Sequence, residues 1–284
     1  MSRRSLQTPG TETTLLSLER LSGLEAAAVA VLKQAVEMDN ARRYLEALTL
    51  YREGLGILMD ITRNTTDDVR KQKFRVRIEE YMNRAEKLKI LIEREKRAGR
   101  FHEQFRIPEN GTGYSYERLL KSLLDDEVTH IDVEDPYIRA PHQLFNFLRF
   151  CELVCRSAAN LKSIALTTGQ DDGKDSRQHQ ESAFTALTKS FAARSISLIV
   201  HYSTTLHDRE IRLNNGWVVK IGRGLDYFKP VPKYALGYCD MDLRPCLETS
   251  VDIFHRASAA GREQTQNAQQ PPGPKPKGKV RFVD

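Results

Sequence analysis

The chain begins with three segments whose apolar residues recur every three to four positions, the spacing of amphipathic helices. The first places five apolar residues on one face: Ala28, Val31, Leu32, Ala35 and Met38. The second, residues 44–62, is apolar on two faces, which is typical of the middle helix of a bundle. The third begins at Asp67 and has one apolar seam: Phe74, Ile78, Tyr81, Ala85, Leu88 and Ile92. We predict an up-down-up three-helix bundle over residues 23–98, preceded by a disordered lead-in, residues 1–22.

The periodicity changes after residues 99–113, a polar stretch with Gly and Pro that we predict to be a linker. Beyond it, short apolar strands alternate with helices, which favours a mainly parallel sheet covered on both faces. Asn214-Asn215-Gly216 between two alternating runs indicates a hairpin. These signals predict an α/β domain over residues 114–256. Residues 257–284 are rich in Gln, Pro and Lys, and we predict a disordered tail there.

The composition, 40% hydrophobic and 29% charged, fits a soluble globular protein without a membrane span. The net charge of +6 favours an anionic partner without saying which kind. No zinc finger, recognition helix or aromatic sheet motif is visible, so we expect no nucleic-acid partner. None of the four cysteines has a Cys or His neighbour at zinc-ligand spacing. We therefore expect buried free thiols in a reducing compartment, and neither a metal nor a cofactor.

The third helical segment contains the run EYMNRAEKLK, residues 80–89, and the second contains YLEALTLY, residues 44–51. Both runs resemble the corresponding helices of MIT domains, the resemblance covering about 70 residues. It implies that the bundle binds the C-terminal tails of ESCRT-III subunits as an added helix between its second and third helices. Met82 lies one position off the core seam, about 100° from Tyr81 around the helix, so its side chain faces the groove edge. The residues predicted for this groove are Leu50, Gly54, Ile57, Met82, Asn83, Ala85, Glu86 and Lys89.

The resemblance assigns Glu86 to an arginine of the partner tail. Asn83 stands where many relatives have an acidic residue, so one ion pair is missing from the family pattern. The alternative explanation for the apolar members is structural: Met82 and Leu50 complete the core of the bundle itself.

In the α/β region, residues 207–214, HDREIRLN, have the outline of the H-x-K-x4-D motif of the phospholipase D superfamily. Arg209 takes the lysine position and keeps a fixed positive charge suited to phosphate. Asn214 takes the aspartate position and lacks the negative charge that stabilises an imidazolium. Losing an orienting carboxylate costs about 10⁴ in rate in a related histidine mechanism. We therefore interpret His207, Arg209 and Asn214 as a degenerate motif with no catalytic residue.

The alternative is a phosphodiesterase, acting on lipid or nucleic acid, that pairs His207 of two copies across a homodimer. The chain contains no second copy of the motif, so a dimer would have to supply the second histidine.

A longer stretch, residues 135–151 together with 207–228, resembles MIT-domain proteins of the ESCRT-III pathway that carry a C-terminal phospholipase D-like domain and act in cytokinetic abscission. With the bundle, this resemblance covers residues 24–256. It implies a homodimeric, non-enzymatic adaptor that binds acidic, phosphoinositide-type membranes. It also implies a cytoplasmic protein, peripheral on endosomal membranes and present at the midbody. The basic residues predicted to bind lipid phosphates are Arg209, Arg212, Lys220, Arg223, Lys229 and Lys233. Trp217 and Phe228 are candidate apolar anchors, although a core position for Trp217 is equally consistent with the sequence.

Overall fold

The computed structural model describes residues 9–256, with side chains from residue 20 onward. The helices and strands are α1 (Pro9–Asn40), α2 (Tyr44–Asn64), α3 (Asp68–Arg97), β1 (His102–Ile107), α4 (Tyr116–Leu120), β2 (His130–Glu134), α5 (Pro141–Ser157), β3 (Ser163–Thr168), α6 (Lys174–Ala192), β4 (Ser197–Tyr202), β5 (Glu210–Leu213), β6 (Trp217–Ile221) and β7 (Thr249–His255). A 3₁₀ turn, Lys121–Leu123, follows α4. The disorder predicted for residues 1–8 and 257–284 lies outside the described residues.

Helices α1 to α3 form the predicted three-helix bundle. The Asp67 side chain caps α3 by accepting hydrogen bonds from the first backbone N–H groups of the helix. Tyr51 of α2 faces α3, with its ring centroid 5.9 Å from that of Tyr81. The disorder predicted for residues 9–22 is wrong, because α1 extends back to Pro9. Proline is tolerated at a helix start, and no further proline interrupts the chain before Asn40.

Seven strands of the described region form one mixed sheet in the order β1-β7-β6-β5-β2-β3-β4. Strands β2, β3 and β4 are parallel and are connected through α5 and α6. The remaining four pairings are antiparallel. The α/β class is thus confirmed, but the prediction of a mainly parallel sheet is wrong, because β5, β6 and β7 follow one another without intervening helices.

Helices α5 and α6 lie on one face of the sheet, since their two right-handed crossovers run in the same direction across β2, β3 and β4. Along β2 and β3 the residues alternate between buried and partly exposed. Ile131, Ile164 and Leu166 point to the core face and are fully buried. The prediction that both faces are covered is therefore wrong for these strands, which meet solvent on the other face.

The bundle packs against the α/β domain at the β1 edge of the sheet. Residues 99–113, predicted to be a linker, contain β1, which pairs with β7 along its whole length. Leu45 of α2 and Ile92 of α3 join the hydrophobic core of the α/β domain. The Arg43 guanidinium lies 4.0 Å from the centroid of the Phe105 ring. The two domains are consequently in direct contact instead of being joined by an extended linker.

All four cysteines are free thiols. Cys151 and Cys246 are buried as predicted, whereas Cys155 is half-buried and Cys239 is exposed. No helix within residues 9–256 has both the length and the apolar character needed to cross a bilayer. In the same range, no three His, Cys, Asp or Glu side chains are grouped so as to hold a metal ion.

Candidate functional site

The predicted partner surface on α3 is open to solvent. Met82 is 48% exposed, so it does not belong to the core of the bundle, which was the alternative explanation for it. Ala85, in contrast, is buried. Asn83, Glu86 and Lys89, also predicted for this surface, are exposed, and so is Ile90, which was not predicted. Lys89 Nζ lies 3.8 Å from Glu86 Oε1, so the carboxylate predicted to meet a partner arginine already has a cation near it.

The predicted α2 wall of this groove does not face α3. A Cβ added to Gly54 would lie 2.6 Å from the Leu32 side chain, so this face of α2 packs on α1. Leu50 and Ile57 lie four residues before and three residues after Gly54 and therefore share its face. Leu50 is also buried in the bundle core. The assignment of Leu50 and Gly54 to an open groove beside Met82 is thus wrong, because both residues are buried inside the bundle. Ile57 is partly buried against the same core.

A different concave surface lies on the other side of α3, where a cleft of about 950 Å³ separates it from α1. Its apolar lining consists of Val29, Leu32, Val36, Leu58, Val69, Phe74 and Tyr81. Its charged rim consists of Glu25, Lys33, Glu37, Asp67, Arg70, Lys73 and Arg77. An apolar floor with a polar rim is typical of a surface that receives a partner.

Three valines that line this cleft were not predicted as site residues from the sequence. Val29 and Val69 are 65% and 67% exposed, and Val36 is also exposed. Val29, Leu32 and Val36 recur at helical spacing, which was the available signal for a second apolar face on α1. The ion pair between Arg70 Nη2 and Glu25 Oε1, at 2.7 Å, bridges α3 and α1 within the cleft lining.

In the α/β domain, the structure separates the members of the degenerate motif. His207 is exposed in the loop before β5, and Asn214 lies beyond the other end of that strand. Asn214 Oδ1 accepts hydrogen bonds from the backbone N–H groups of Thr129 and His130, at 2.8 and 2.9 Å. Asn214 Nδ2 donates to the Glu127 carbonyl at 3.0 Å. Asn214 therefore fixes the start of β2 and does not orient His207.

Arg209 lies where the parallel strands end. Its guanidinium donates to the Gly222 carbonyl and stacks 4.4 Å from the centroid of the Tyr137 ring. Arg139 approaches the same ring, with its Cζ 5.1 Å from the centroid. Neither arginine forms an ion pair with any carboxylate of the described residues. Ligands of parallel sheets bind at the carboxyl ends of the strands, so this is a position where a ligand is expected. Arg139 was not among the residues predicted from the sequence.

Gly224, which follows the motif in sequence, occupies a position that only glycine fits. Gly224 has a φ of +61°, and a Cβ there would lie 2.0 Å from Asp135 Oδ2. The buried Asp135 accepts hydrogen bonds from the backbone N–H groups of Tyr137 and Leu225, both at 3.0 Å. Burial raises the pKa of this carboxyl. The small pocket that Asp135, Arg209 and Gly224 help to line has a volume of about 10 Å³, too small for a phosphate group.

The six predicted lipid-binding cations do not form one free patch. Arg212 pairs with Glu134 and Glu210, which raises the pKa of its guanidinium. Lys220 Nζ lies 3.0 Å from Glu210 Oε2. These two cations extend from the middle of the sheet, so their assignment to a phosphate site is wrong. Internal carboxylates already pair with both cations: Glu210 with each of them, and Glu134 with Arg212.

The other predicted cations lie at the end of the sheet. Lys229 is also paired internally, with Glu109. Arg223 and Lys233 are exposed and form no ion pair among residues 9–256. The candidate apolar anchors Trp217 and Phe228 are both buried, so the alternative core position of Trp217 is correct. The basic surface that remains comprises Arg139, Arg209, Arg223 and Lys233.

The fold and its sites define a protein that joins an MIT bundle to a phospholipase D-like domain. Residues 25–90 match the MIT (microtubule interacting and transport) domain. Residues 113–255 match the family described as the phospholipase D-like domain at the C-terminus of MIT. The chain therefore belongs to the family of MIT-domain proteins with a C-terminal phospholipase D-like domain.

Among the proteins similar to this chain is MIT domain-containing protein 1 of Mus musculus. The two are 47% identical over 230 residues, which span 81% of this chain and 92% of the mouse protein. The family predicted from residues 44–51, 80–89 and 207–228 is thereby confirmed.

Proposed function

We propose that the protein is a non-enzymatic adaptor that binds C-terminal tails of ESCRT-III subunits through its bundle and anionic membrane through its phospholipase D-like domain. It acts in cytokinetic abscission and endosomal membrane remodelling, from the cytoplasm, on endosomal membranes and at the midbody. The observation that carries the proposal is the open apolar cleft of the MIT bundle. MIT domains generally bind ESCRT-III tails, and this cleft offers such a tail a place.

The cleft between α1 and α3 suits an amphipathic segment. Its volume of about 950 Å³ accommodates several side chains. Val29 and Val69 expose apolar area that the bundle does not cover, and an incoming apolar side chain would remove it from water. The rim carries both signs of charge, so basic and acidic flanks of a tail each find partners. The Met82 surface, on the opposite side of α3, remains the second predicted position for a tail.

Binding of an ESCRT-III tail peptide by the full chain tests both positions. Val29→Asp places an unpaired charge in the cleft, and we expect the affinity to fall by about tenfold or more. Val76→Asp is the matched control. Val76 is an exposed valine of the same bundle, on α3, and it does not line the cleft. If Met82→Asp abolishes binding and Val29→Asp does not, the tail occupies the Met82 surface. If neither changes the affinity, both assignments are wrong.

The membrane half of the proposal is supported by Arg139, Arg209, Arg223 and Lys233 at one end of the sheet. Each basic side chain near an anionic surface contributes about 1 kcal/mol, so four together give useful, salt-sensitive binding. We expect the full chain to co-sediment with phosphatidylserine-containing vesicles and to be released as salt is raised. Binding that ignores the lipid charge would contradict this half.

The proposal of an adaptor without hydrolysis is supported by the position of Asn214, which is committed to the backbone of β2. The competing phosphodiesterase requires His207 of two copies to meet across a homodimer. Hydrolysis of a generic phosphodiester by wild type and by His207→Ala distinguishes the two. A rate that depends on His207 would overturn the adaptor proposal in favour of the enzyme.

A further inference from the structure

The segment between β6 and β7 displays two large side chains almost entirely to solvent. Tyr234 is 96% exposed and Leu236 is 85% exposed, more than any other large hydrophobic residue in the described part of the chain. Only Ala235 separates them. We call residues 233–236 the tip. Side chains this exposed do not contribute apolar burial to the folded domain. Their presence at the surface is therefore not explained by the stability of the fold.

The tip is held in place by the residues around it. The Ala235 N–H donates to the Pro232 carbonyl and the Tyr238 N–H donates to the Ala235 carbonyl, both at 3.1 Å, which makes two consecutive turns. Beneath them, the buried Arg244 donates from Nε and Nη2 to the carbonyls of Gly237 and Tyr238, both at 2.6 Å. The side chains of the tip are thus presented by an ordered backbone, which lowers the entropic cost of binding.

The backbone at Tyr234 is unfavourable for a bulky residue. Its φ is +68°, in the left-handed region that favours glycine or asparagine. The ring recovers none of this cost by packing, because it is almost fully exposed. Strained residues of this kind concentrate at functional sites, where the strain sets the direction of a side chain. Here it directs the aromatic ring away from the domain.

We infer that the tip inserts into the interface of an anionic bilayer, an inference that rests on the membrane half of the proposed function. Leu236 enters the boundary between headgroups and acyl chains. The Tyr234 ring lies at headgroup level, where its apolar body and polar hydroxyl are both accommodated. Lys233 is exposed and carries the positive charge that meets a lipid phosphate.

Two features favour a membrane over a protein partner. The tip is a projection and not a groove, so it can enter a fluid interface without a matching pocket. It also leaves the sheet at the end of β6, the end that carries Arg223, Arg139 and Arg209. The inferred insertion requires that one membrane surface receive the cations and the apolar tip together. The cations supply attraction that salt weakens, and the tip supplies apolar burial that salt does not weaken.

Tyrosine-to-tryptophan substitution tests the insertion directly. Full-length Tyr234→Trp is mixed with phosphatidylcholine–phosphatidylserine vesicles whose acyl chains are brominated, which quenches tryptophan only on contact. Trp217 is buried and contributes the same background to every variant. We expect quenching for Tyr234→Trp and none for the control Ile199→Trp, a similarly introduced residue at an exposed position of β4. Vesicle-bound Tyr234→Trp that is not quenched would overturn the inference while leaving the membrane function intact.

A second variant, Tyr234→Ser with Leu236→Ser, measures the contribution of the tip. Burying one leucine side chain is worth at least about a factor of ten in an equilibrium constant, so we expect a loss of vesicle affinity of about tenfold or more. The binding that remains should be more salt-sensitive than that of wild type. Unchanged Trp217 emission shows that the variant is folded.

Three results would contradict the inference in different ways. Unchanged vesicle affinity of the double variant would show that the tip is not used. Loss of ESCRT-III tail binding with vesicle affinity unchanged would make the tip a protein contact. Absence of vesicle binding by wild type would remove the membrane half of the proposed function, and the inference with it.

Discussion

The side chain of Glu103 caps a helix that belongs to the other domain: its Oε1 accepts a hydrogen bond from the backbone N–H of Leu45 at 2.9 Å. Leu45 lies in the first turn of α2, where N–H groups have no partner within the helix. Arg43, at the N-cap position, offers no side-chain acceptor to these groups. A carboxyl group of β1 therefore supplies what the local sequence lacks, and it links the bundle to the sheet.

Glu103 makes the junction of the two domains sensitive to pH. Burial raises its pKa from 4.5 to about 7, although hydrogen bonds from the α2 backbone act in the opposite direction. Between pH 4.5 and 7 the folded protein holds a proton that the unfolded chain releases. The free energy of unfolding therefore falls as pH rises through this window, by up to about 3 kcal/mol, and changes little above it.

Glu103→Gln imitates the protonated carboxyl and keeps an oxygen for the Leu45 amide, so we expect it to remove this part of the pH dependence. The measurement is denaturant unfolding of the full chain from pH 4.5 to 8, with hydrogen exchange at Leu45 as a local readout. Glu53→Gln, at an exposed position of α2, is the control. Parallel pH curves for wild type and Glu103→Gln would show that the carboxyl does not control the junction.

Alanine substitution of two glycines on α2 tests whether the Gly54 face of this helix packs on α1. A Cβ at Gly54 would lie 2.6 Å from Leu32, so we expect Gly54→Ala to destabilise the protein by about 1–3 kcal/mol through overpacking. Gly56 is exposed with nothing within 4 Å of its added Cβ. Gly56→Ala should therefore stabilise by up to about 1 kcal/mol, as alanine does in a helix interior. Thermal unfolding measures both, and equal effects would refute the proposed α1–α2 contact.

A polar network joins the three helices of the bundle, and substitution of its carboxylate tests how much the network stabilises the fold. The Arg84 guanidinium donates to both oxygens of the buried Asp39, at 2.5 and 2.6 Å, and Tyr51 donates to one of them at 3.1 Å. The Arg84 hydrogen bonds hold the pKa of Asp39 below its usual range. We expect Asp39→Ala to lower the unfolding free energy at neutral pH by about 2 kcal/mol, since Arg84 stays half-exposed and hydrated. The loss should shrink as pH falls, because protonation of the carboxyl removes the charge that Arg84 binds. A loss that is the same at neutral and at acid pH would contradict this.

The sequence predicted those parts of the fold that local patterns encode. The spacing of Phe74, Ile78 and Tyr81 defined α3, and Asn215-Gly216 defined the turn between β5 and β6, because both signals lie within a few residues. Strand β1, HEQFRI, was missed because its partner β7 lies about 150 residues away. The polar character of β1 also hid a strand whose Glu103 is buried by the other domain.

The candidate sites were predictable to a smaller extent for the same reason. Met82 was correctly predicted to be exposed, since the angle between it and Tyr81 follows from helix geometry alone. The α2 wall required the crossing of α1 and α2, which no local pattern contains. Arg212 was predicted to be free, but Glu134, 78 residues away, pairs with it. Charge counts along a sequence do not show which cations the fold neutralises.

Asn214 allows the non-enzymatic proposal to be tested by restoring the residue that the phospholipase D pattern expects. A carboxylate at this position would still accept from the N–H groups of Thr129 and His130. It would lose the donation to the Glu127 carbonyl at 3.0 Å and place like partial charges together. We expect Asn214→Asp to destabilise the protein by about 1–2 kcal/mol and to show no phosphodiester hydrolysis beyond wild type. Because His207 lies at the other end of β5, the new carboxylate cannot orient its imidazole within one chain. Hydrolysis by Asn214→Asp that disappears in the double variant with His207→Ala would mean that the carboxylate alone had been missing, and that an active site forms between copies of the chain.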